Sequence, residues 1–192
     1  MLSFRIDEKL ELHLLQERDA EVLFTKVDQN RQYLREWLPW LDRIKSVSDI
    51  MSFIQKSSEQ FGSNNGFQVG IWFENELAGV IGYHRIDWPN RTTSIGYWIA
   101  PSFQGKGLVT KACEALVGYA FSGLKLNRVE IACATENKKS QAIPKRLGFT
   151  EEGIARQAEW LYDHYVDHIV YGLLASDWKC LCDGISTRGA KQ

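Results

Sequence analysis

The tetrapeptide Gln104-Gly105-Lys106-Gly107 separates a strand-like run, Thr93 to Ile99, from a helix-like run of about Leu108 to Phe121, and Pro101-Ser102 turns the chain between them. Two glycines at such a junction allow a tight strand-to-helix passage. They also let backbone N–H groups face an anion at the helix N-terminus, where unpaired donors and the helix dipole favour negative charge. The spacing excludes two familiar cradles. A dinucleotide-binding fingerprint would need a further glycine at Thr110, and a P-loop would need Gly-Lys-Ser/Thr, whereas Gly107 follows Lys106. On pattern alone the junction is an ordinary turn or a phosphate cradle of another kind.

The segments before it fall into strand, helix, helix. Leu10 to Leu15 reads as a strand, and Ala20, Leu23, Phe24 and Val27 keep helical spacing. Trp37-Leu38-Pro39-Trp40 reads as a loop or short helical turn. Ser46 or Ser48 caps a second helix carrying Val47, Ile50, Met51, Ile54 and Phe61, which ends at Gly62 and an Asn64-Asn65-Gly66 turn. From Phe67 the pattern changes to period two. Phe67 to Phe73 and Leu77 to Ile86 form a hairpin around Glu74-Asn75-Glu76, and Trp88-Pro89-Asn90 leads into Thr93 to Ile99. Beyond the glycines and their helix, Arg128 to Thr135 reads as strand, Lys138 to Leu147 as helix, and Phe149 to Leu161 pairs with Tyr165 to Leu174. The order β-α-α-β-β-β-α-β-α-β-β predicts an α/β (α+β) fold with a mixed sheet, not an alternating doubly wound one. Pro144 fits worst: inside a helix it costs about 3 kcal/mol or more, so that helix is expected to start late or be distorted.

A chain of 192 residues with 44% hydrophobic and 24% charged residues suits one core, expected over residues 1–178, with a polar flexible tail over 179–192. The first nine residues hold no apolar stretch of signal-peptide type, so a cytoplasmic protein without a membrane partner is expected. A net charge of −1 gives no general attraction to nucleic acid. Any anionic ligand needs a local basic patch, for which Lys106, Lys111, Lys138, Lys139, Lys145 and Arg146 are available. Cys113, Cys133, Cys180 and Cys182 lack zinc-site spacing and are expected as free thiols. His164 and His168 stand four apart in strand-like sequence, too far apart to share a metal, and no metal is expected.

The run Ile95-Gly96-Tyr97-Trp98-Ile99 followed by Pro101-Ser102-Phe103-Gln104-Gly105-Lys106-Gly107 resembles the acetyl-CoA motif of the Gcn5-related N-acetyltransferases, GNAT. Gln104, Gly105, Lys106, Gly107 and Leu108 fit that motif, and Val109 departs from it at the last position. Glu136-Asn137-Lys138-Lys139-Ser140 and Leu147-Gly148-Phe149 look like the second cofactor motif, and Gln157-Ala158-Glu159 with Gly96-Tyr97-Trp98 is similar to the RimJ/RimL branch, which acetylates N-terminal amines of ribosomal proteins. The likeness runs from Leu10 to Trp178 and implies a mostly antiparallel sheet with helices on both faces.

It also implies roles. Backbone amides at Gly105, Gly107 and Val109 would hold the pyrophosphate of acetyl-CoA, with Lys106, Leu108 and Thr110 beside them. The strand edge at Trp98 and Ile99 would bond the pantetheine arm and offer an N–H to the thioester oxygen. Asn137 is a turn residue ahead of a helix or a side chain bonded to the cofactor. Ser140 is an early helix residue or, by the resemblance, the acid that protonates the departing thiolate. Glu159 is a solvated carboxylate or, by the resemblance, the base. An α-amine of pKa about 7.8 is roughly one-third neutral at pH 7.5, against about 0.1% for a lysine near 10.4, so one modest carboxylate suits an N-terminal acceptor. Trp37, Trp40 and Tyr162, with Tyr165, line the acceptor entrance or pack a loop onto the sheet.

The expected activity is therefore acetyl transfer from acetyl-CoA to a primary amine, most readily a protein N-terminus, by direct attack. No Gly-x-Ser-x-Gly elbow or cysteine–histidine pairing offers a covalent nucleophile. A polyamine or aminoglycoside acceptor, or a module that binds acyl-CoA without turnover, is the alternative. A homodimer is expected from the family's habits.

Overall fold

Period-two segments become the strands of one sheet, seen in a computed structural model that describes residues 2–178. The strands are β1 (Ser3–Arg5), β2 (Leu10–Leu14), β3 (Phe67–Phe73), β4 (Glu76–Asp87), β5 (Thr92–Ile99), β6 (Arg128–Ala134), β7 (Thr150–Leu161) and β8 (His164–Leu174). They lie in the order β1-β2-β3-β4-β5-β6-β8-β7. Neighbours run antiparallel except β5 and β6, which are parallel. The helices are α1 (Ala20–Gln29), α2 (Arg31–Arg35), α3 (Val47–Gly62), α4 (Leu108–Gly118) and α5 (Lys138–Arg146).

Helices cover both faces of the sheet. On one side Ala112, Cys113, Leu116 and Val117 of α4 pack with Val69, Ile71, Ile81, Ile95, Val129 and Ile131. On the other, Leu23 and Val27 of α1 and Ile50 and Ile54 of α3 pack with Leu77 and Val80. Each of the Leu, Ile and Val side chains among them, fully withdrawn from water, contributes about 1.5–3 kcal/mol before conformational entropy is counted. Ser46 caps α3 as its sequence predicts: its hydroxyl accepts from the Asp49 N–H, and the Asp49 carboxylate accepts from the Ser46 N–H at 2.9 Å.

The departures from the sequence expectation are short elements. β1 adds a three-residue edge, and α2 adds a short helix just ahead of the Trp37–Trp40 segment, set off from α1 by Asn30 at φ −115°, ψ 15°. α4 stops at Gly118 and its last turn opens into a π-turn, Tyr119–Gly123. The tail with Cys180 and Cys182 lies outside the described residues.

One irregularity of the sheet creates the site. β5 and β6 pair only where Thr92, Thr93 and Ser94 meet Arg128, Val129 and Glu130. Past that point β5 stays with β4 and β6 with β8, so the two parallel strands part and leave a wedge between them. Both strands point towards its mouth. The helices that follow them in sequence, α4 and α5, therefore open with their N-termini at that end of the sheet.

Candidate active site

A cavity of about 980 Å³ occupies this mouth, lined by Trp98 and Ile99 from β5, Gly105, Gly107 and the first turn of α4, and Asn137 to Ser140 at the start of α5. Gly105 and Gly107 have φ of +76° and +72°, the left-handed region in which an L side chain is strained. A β-carbon at either would meet nothing within 4 Å, so what selects glycine here is backbone conformation and not space. No side chain caps α4, whose N-cap is Gly107 itself, and the first-turn amides have no partner within the helix. Val109, which departs from the family pattern, packs into the core at 6% exposure and also lines the cavity. Gln104, Leu108 and Thr110 also line the cavity.

Basic groups surround it unevenly. Lys111, Lys138, Lys139 and Arg146 line the cavity. Lys106 does not: its ammonium lies 5.1 Å and 5.3 Å from the ring centroids of Phe73 and Phe103. Lys145 pairs with Glu151 at 3.3 Å. Gln104 spans the opening, donating to the Tyr33 hydroxyl of α2 at 2.5 Å and accepting from Lys139 of α5 at 3.0 Å. Tyr33 thus reaches a site that its place in the sequence does not announce, whereas Lys139 was among the candidates for a basic patch.

Ser140 stands in the first turn of α5, where Asn137 is the N-cap and its Oδ1 accepts from the Ser140 N–H at 3.0 Å. The turn reading of Asn137 holds, and its Nδ2 remains for the cavity. The Ser140 hydroxyl donates to the Tyr97 hydroxyl at 3.1 Å and lies 3.2 Å from Cys133 Sγ. Tyr97 in turn donates to the Ser140 carbonyl at 3.0 Å. Burial, with the two thiols nearby, holds the Tyr97 phenol well above its ordinary range, and burial also raises the Cys133 thiol. All three groups are therefore neutral proton carriers at neutral pH.

Glu159 stands apart from that lining. Four steps along β7, from Ala155 to Glu159, face only two along β8, from His168 to Val166, and Gln157 within this bulge has φ +49°. Asp167 holds the bulge by accepting the Gln157 N–H at 2.7 Å. Bulges re-aim side chains. Here the Glu159 carboxylate comes 3.6 Å from His168 Nε2 and acts electrostatically on His84 of β4. The His84 ring lies over Gly96, with Nδ1 3.2 Å from Ser94 Oγ, and lost hydration holds its pKa below the usual imidazole value despite Glu159. His164, by contrast, pairs with Asp163 at 2.6 Å. No group of three or more His, Cys, Asp or Glu capable of holding a metal occurs among the described residues.

Of the aromatic residues expected at the acceptor entrance, Trp37 lines the cavity and Trp40 packs in the α1–α3 layer. Tyr162, at φ +64° in the β7–β8 turn, spends its hydroxyl on the loop after α2, donating to the Leu38 carbonyl at 2.5 Å and accepting from the Leu41 N–H at 3.2 Å. Arg35 stacks 3.7 Å from its ring centroid. Tyr165 is exposed and edges against Trp160 at 4.8 Å.

The arrangement sets first-turn amides and basic side chains at one end and hydroxyl groups at the other, along a strand edge that β6 leaves unpaired. Residues 9–150 match the acetyltransferase (GNAT) domain. The Bacillus subtilis protein YdaF is 38% identical over 180 residues, 93% of this chain and 98% of its own. The ribosomal-protein-serine acetyltransferase of Escherichia coli is 35% identical over 170 residues, 88% of this chain and 94% of its own. Among solved structures, RimL, an α-N-protein acetyltransferase of a ribosomal protein, superposes with a TM-score of 0.88 at 28% identity, covering 92% of this chain and 99% of that one. It was solved with coenzyme A joined by a disulfide to one of its cysteines.

Proposed function

This chain belongs to the GNAT acetyltransferases and uses acetyl-CoA, and on that premise we propose that it acetylates the N-terminal α-amine of a ribosomal protein by direct attack. The observation that carries the reading is the continuity of the cavity, from the free amides of α4 past the unpaired edge of β5 to the Ser140 hydroxyl.

Each end has a task. The amides at Gly105, Gly107 and Val109, with the cations Lys111, Lys138, Lys139 and Arg146, suit the phosphates of the co-substrate. The β5 edge from Ile95 to Ile99 has N–H and C=O groups free of β6, which suits an amide-bearing arm and an oxyanion formed at its end. The neutral amine attacks the thioester carbon, forming the C–N bond. As the C–S bond breaks, the thiolate takes the Ser140 proton, which solvent restores, and the nitrogen's surplus proton passes to Glu159. An α-amine needs less help than a lysine, which supports a protein N-terminus over an internal side chain.

The test is thiol release from acetyl-CoA with ribosomal-protein N-terminal peptides, polyamines and aminoglycosides as acceptors. Turnover is expected with peptides bearing a free α-amine and not with N-acetylated controls. Turnover confined to polyamines or aminoglycosides overturns the acceptor, and an acetyl-enzyme trapped during turnover overturns direct attack.

A further inference from the structure

Pro144 leaves a vacancy in α5 that another part of the chain fills. In an α-helix the carbonyl of one residue accepts the N–H four residues on, so the partner of the Ser140 carbonyl would be residue 144, and proline has no N–H to give. Instead that carbonyl accepts from the Tyr97 hydroxyl, 43 residues earlier in the chain, at 3.0 Å. The same phenol oxygen accepts from the Ser140 hydroxyl at 3.1 Å. A hydroxyl has one proton and two lone pairs. With its proton committed to the carbonyl, Tyr97 can meet the Ser140 side chain only as an acceptor, so the direction of that bond is set by the proline.

We propose that Tyr97 is a positioning residue for Ser140, fixing both its main chain and its hydroxyl, and that Pro144 makes this double contact possible. The proposal rests on Ser140 being the acid that meets the leaving thiolate. Among the described residues Ser140 is otherwise held by the Asn137 cap and the weak contact with Cys133. A serine hydroxyl turns freely about its C–O bond and is a weak acid, so its usefulness depends on where its oxygen is held when the thiolate appears. Tyr97 sits on β5, the strand whose edge faces the arm of acetyl-CoA. One rigid strand thus governs both the thioester and the hydroxyl.

Steady-state kinetics of Tyr97→Phe, Ser140→Ala, Pro144→Ala and the double variants test this, with coenzyme A binding followed by calorimetry and folding by circular dichroism. Tyr97→Phe keeps the ring. It is expected to lower kcat about tenfold with KM for acetyl-CoA unchanged. Tyr97→Phe combined with Ser140→Ala is expected to be no slower than Ser140→Ala alone, a coupling that a merely structural role does not produce. Pro144→Ala returns the helical N–H to the carbonyl and frees the Tyr97 proton. A severalfold fall in kcat is expected, and none further when Tyr97 is already Phe. Wild-type turnover in Tyr97→Phe, or losses that multiply in the double variant, overturns the proposal while leaving Ser140 as the acid. A silent Ser140→Ala overturns the acid assignment itself.

Discussion

In the proposed reaction Ser140 and Glu159 divide the proton transfers, and they sit in unlike surroundings: one in the first turn of a helix beside a phenol and a thiol, the other on a bulge beside imidazoles. Ser140→Ala and Glu159→Gln are each expected to lower kcat by about tenfold to a thousandfold, with coenzyme A affinity changed less than about twofold. Stopped or steady-state thiol release gives the first quantity and calorimetry the second, and a variant with full turnover removes that residue from the mechanism. His84 reports on the placing of Glu159. Lost hydration disfavours the imidazolium and moves its pKa down, while the negative carboxylate favours the imidazolium and moves it up; the first effect is the larger. An NMR titration is therefore expected to find His84 below about 6.5, the ordinary value, and lower still in Glu159→Gln. A rise in that variant would mean that the carboxylate does not face β4.

At the scale of elements, the glycine bend is the part most exposed to a single substitution. Gly107 is both the N-cap of α4 and a residue at φ +72°, so Gly107→Ala either strains the bend by about 1–2 kcal/mol or swings the first-turn amides out of line. Denaturant unfolding is expected to show a loss of that size, and calorimetry a weaker uptake of coenzyme A; a variant matching the wild type in both would show that the left-handed bend is dispensable. This bend was legible in the sequence because its cause is local: two glycines, a strand before and an apolar helix after. The same holds for the Ser46 cap and for β3, whose bounds Phe67–Phe73 follow the period-two run without adjustment. The wedge was not legible from period or propensity, because nothing in Ile95 to Ile99 or Ile131 to Ala134 says that parallel neighbours will part; that depends on what packs on each strand's far side. Pro144 shows the boundary well. Its cost to α5 could be read from sequence, whereas the hydroxyl that compensates comes from another strand, where Tyr97 follows the alternation of Ile95 and Ile99 onto the face beneath α5. Lys106 shows the converse: its place in the motif suggested a position near the phosphates, and its ammonium lies beside two phenylalanine rings that sequence spacing does not bring to it.

Across the whole molecule, a long-range tie joins the β7–β8 hairpin to the loop after α2, the proposed acceptor side. β7 is an edge strand exposed along most of its length, so little apolar burial anchors the β7–β8 hairpin at its outer side. Its tip is joined to the α1–α3 layer through Tyr162, whose hydroxyl bonds main-chain groups of Leu38 and Leu41 more than a hundred residues away, under the Arg35 guanidinium that also pairs with Asp42 at 2.9 Å. The loop so held carries Trp37 and Leu38, which line the cavity, and the hairpin carries Glu159. Tyr162 therefore sets the spacing between the aromatic wall and the carboxylate without touching the cavity itself. Tyr162→Phe preserves the ring and the Arg35 stack but leaves the Leu38 carbonyl and the Leu41 N–H without their partner, at a cost of about 1–3 kcal/mol. For a domain of this size that corresponds to a fall in Tm of about 2–4 °C per kcal/mol. The functional expectation follows from what moves: the loop and the hairpin flank the proposed acceptor side, while α4 and the β5 edge are untouched. KM for the acceptor peptide should rise severalfold and KM for acetyl-CoA should stay constant. If calorimetric unfolding shows the loss of stability but acceptor KM is unchanged, the tie serves folding alone and the spacing of wall and carboxylate is set elsewhere.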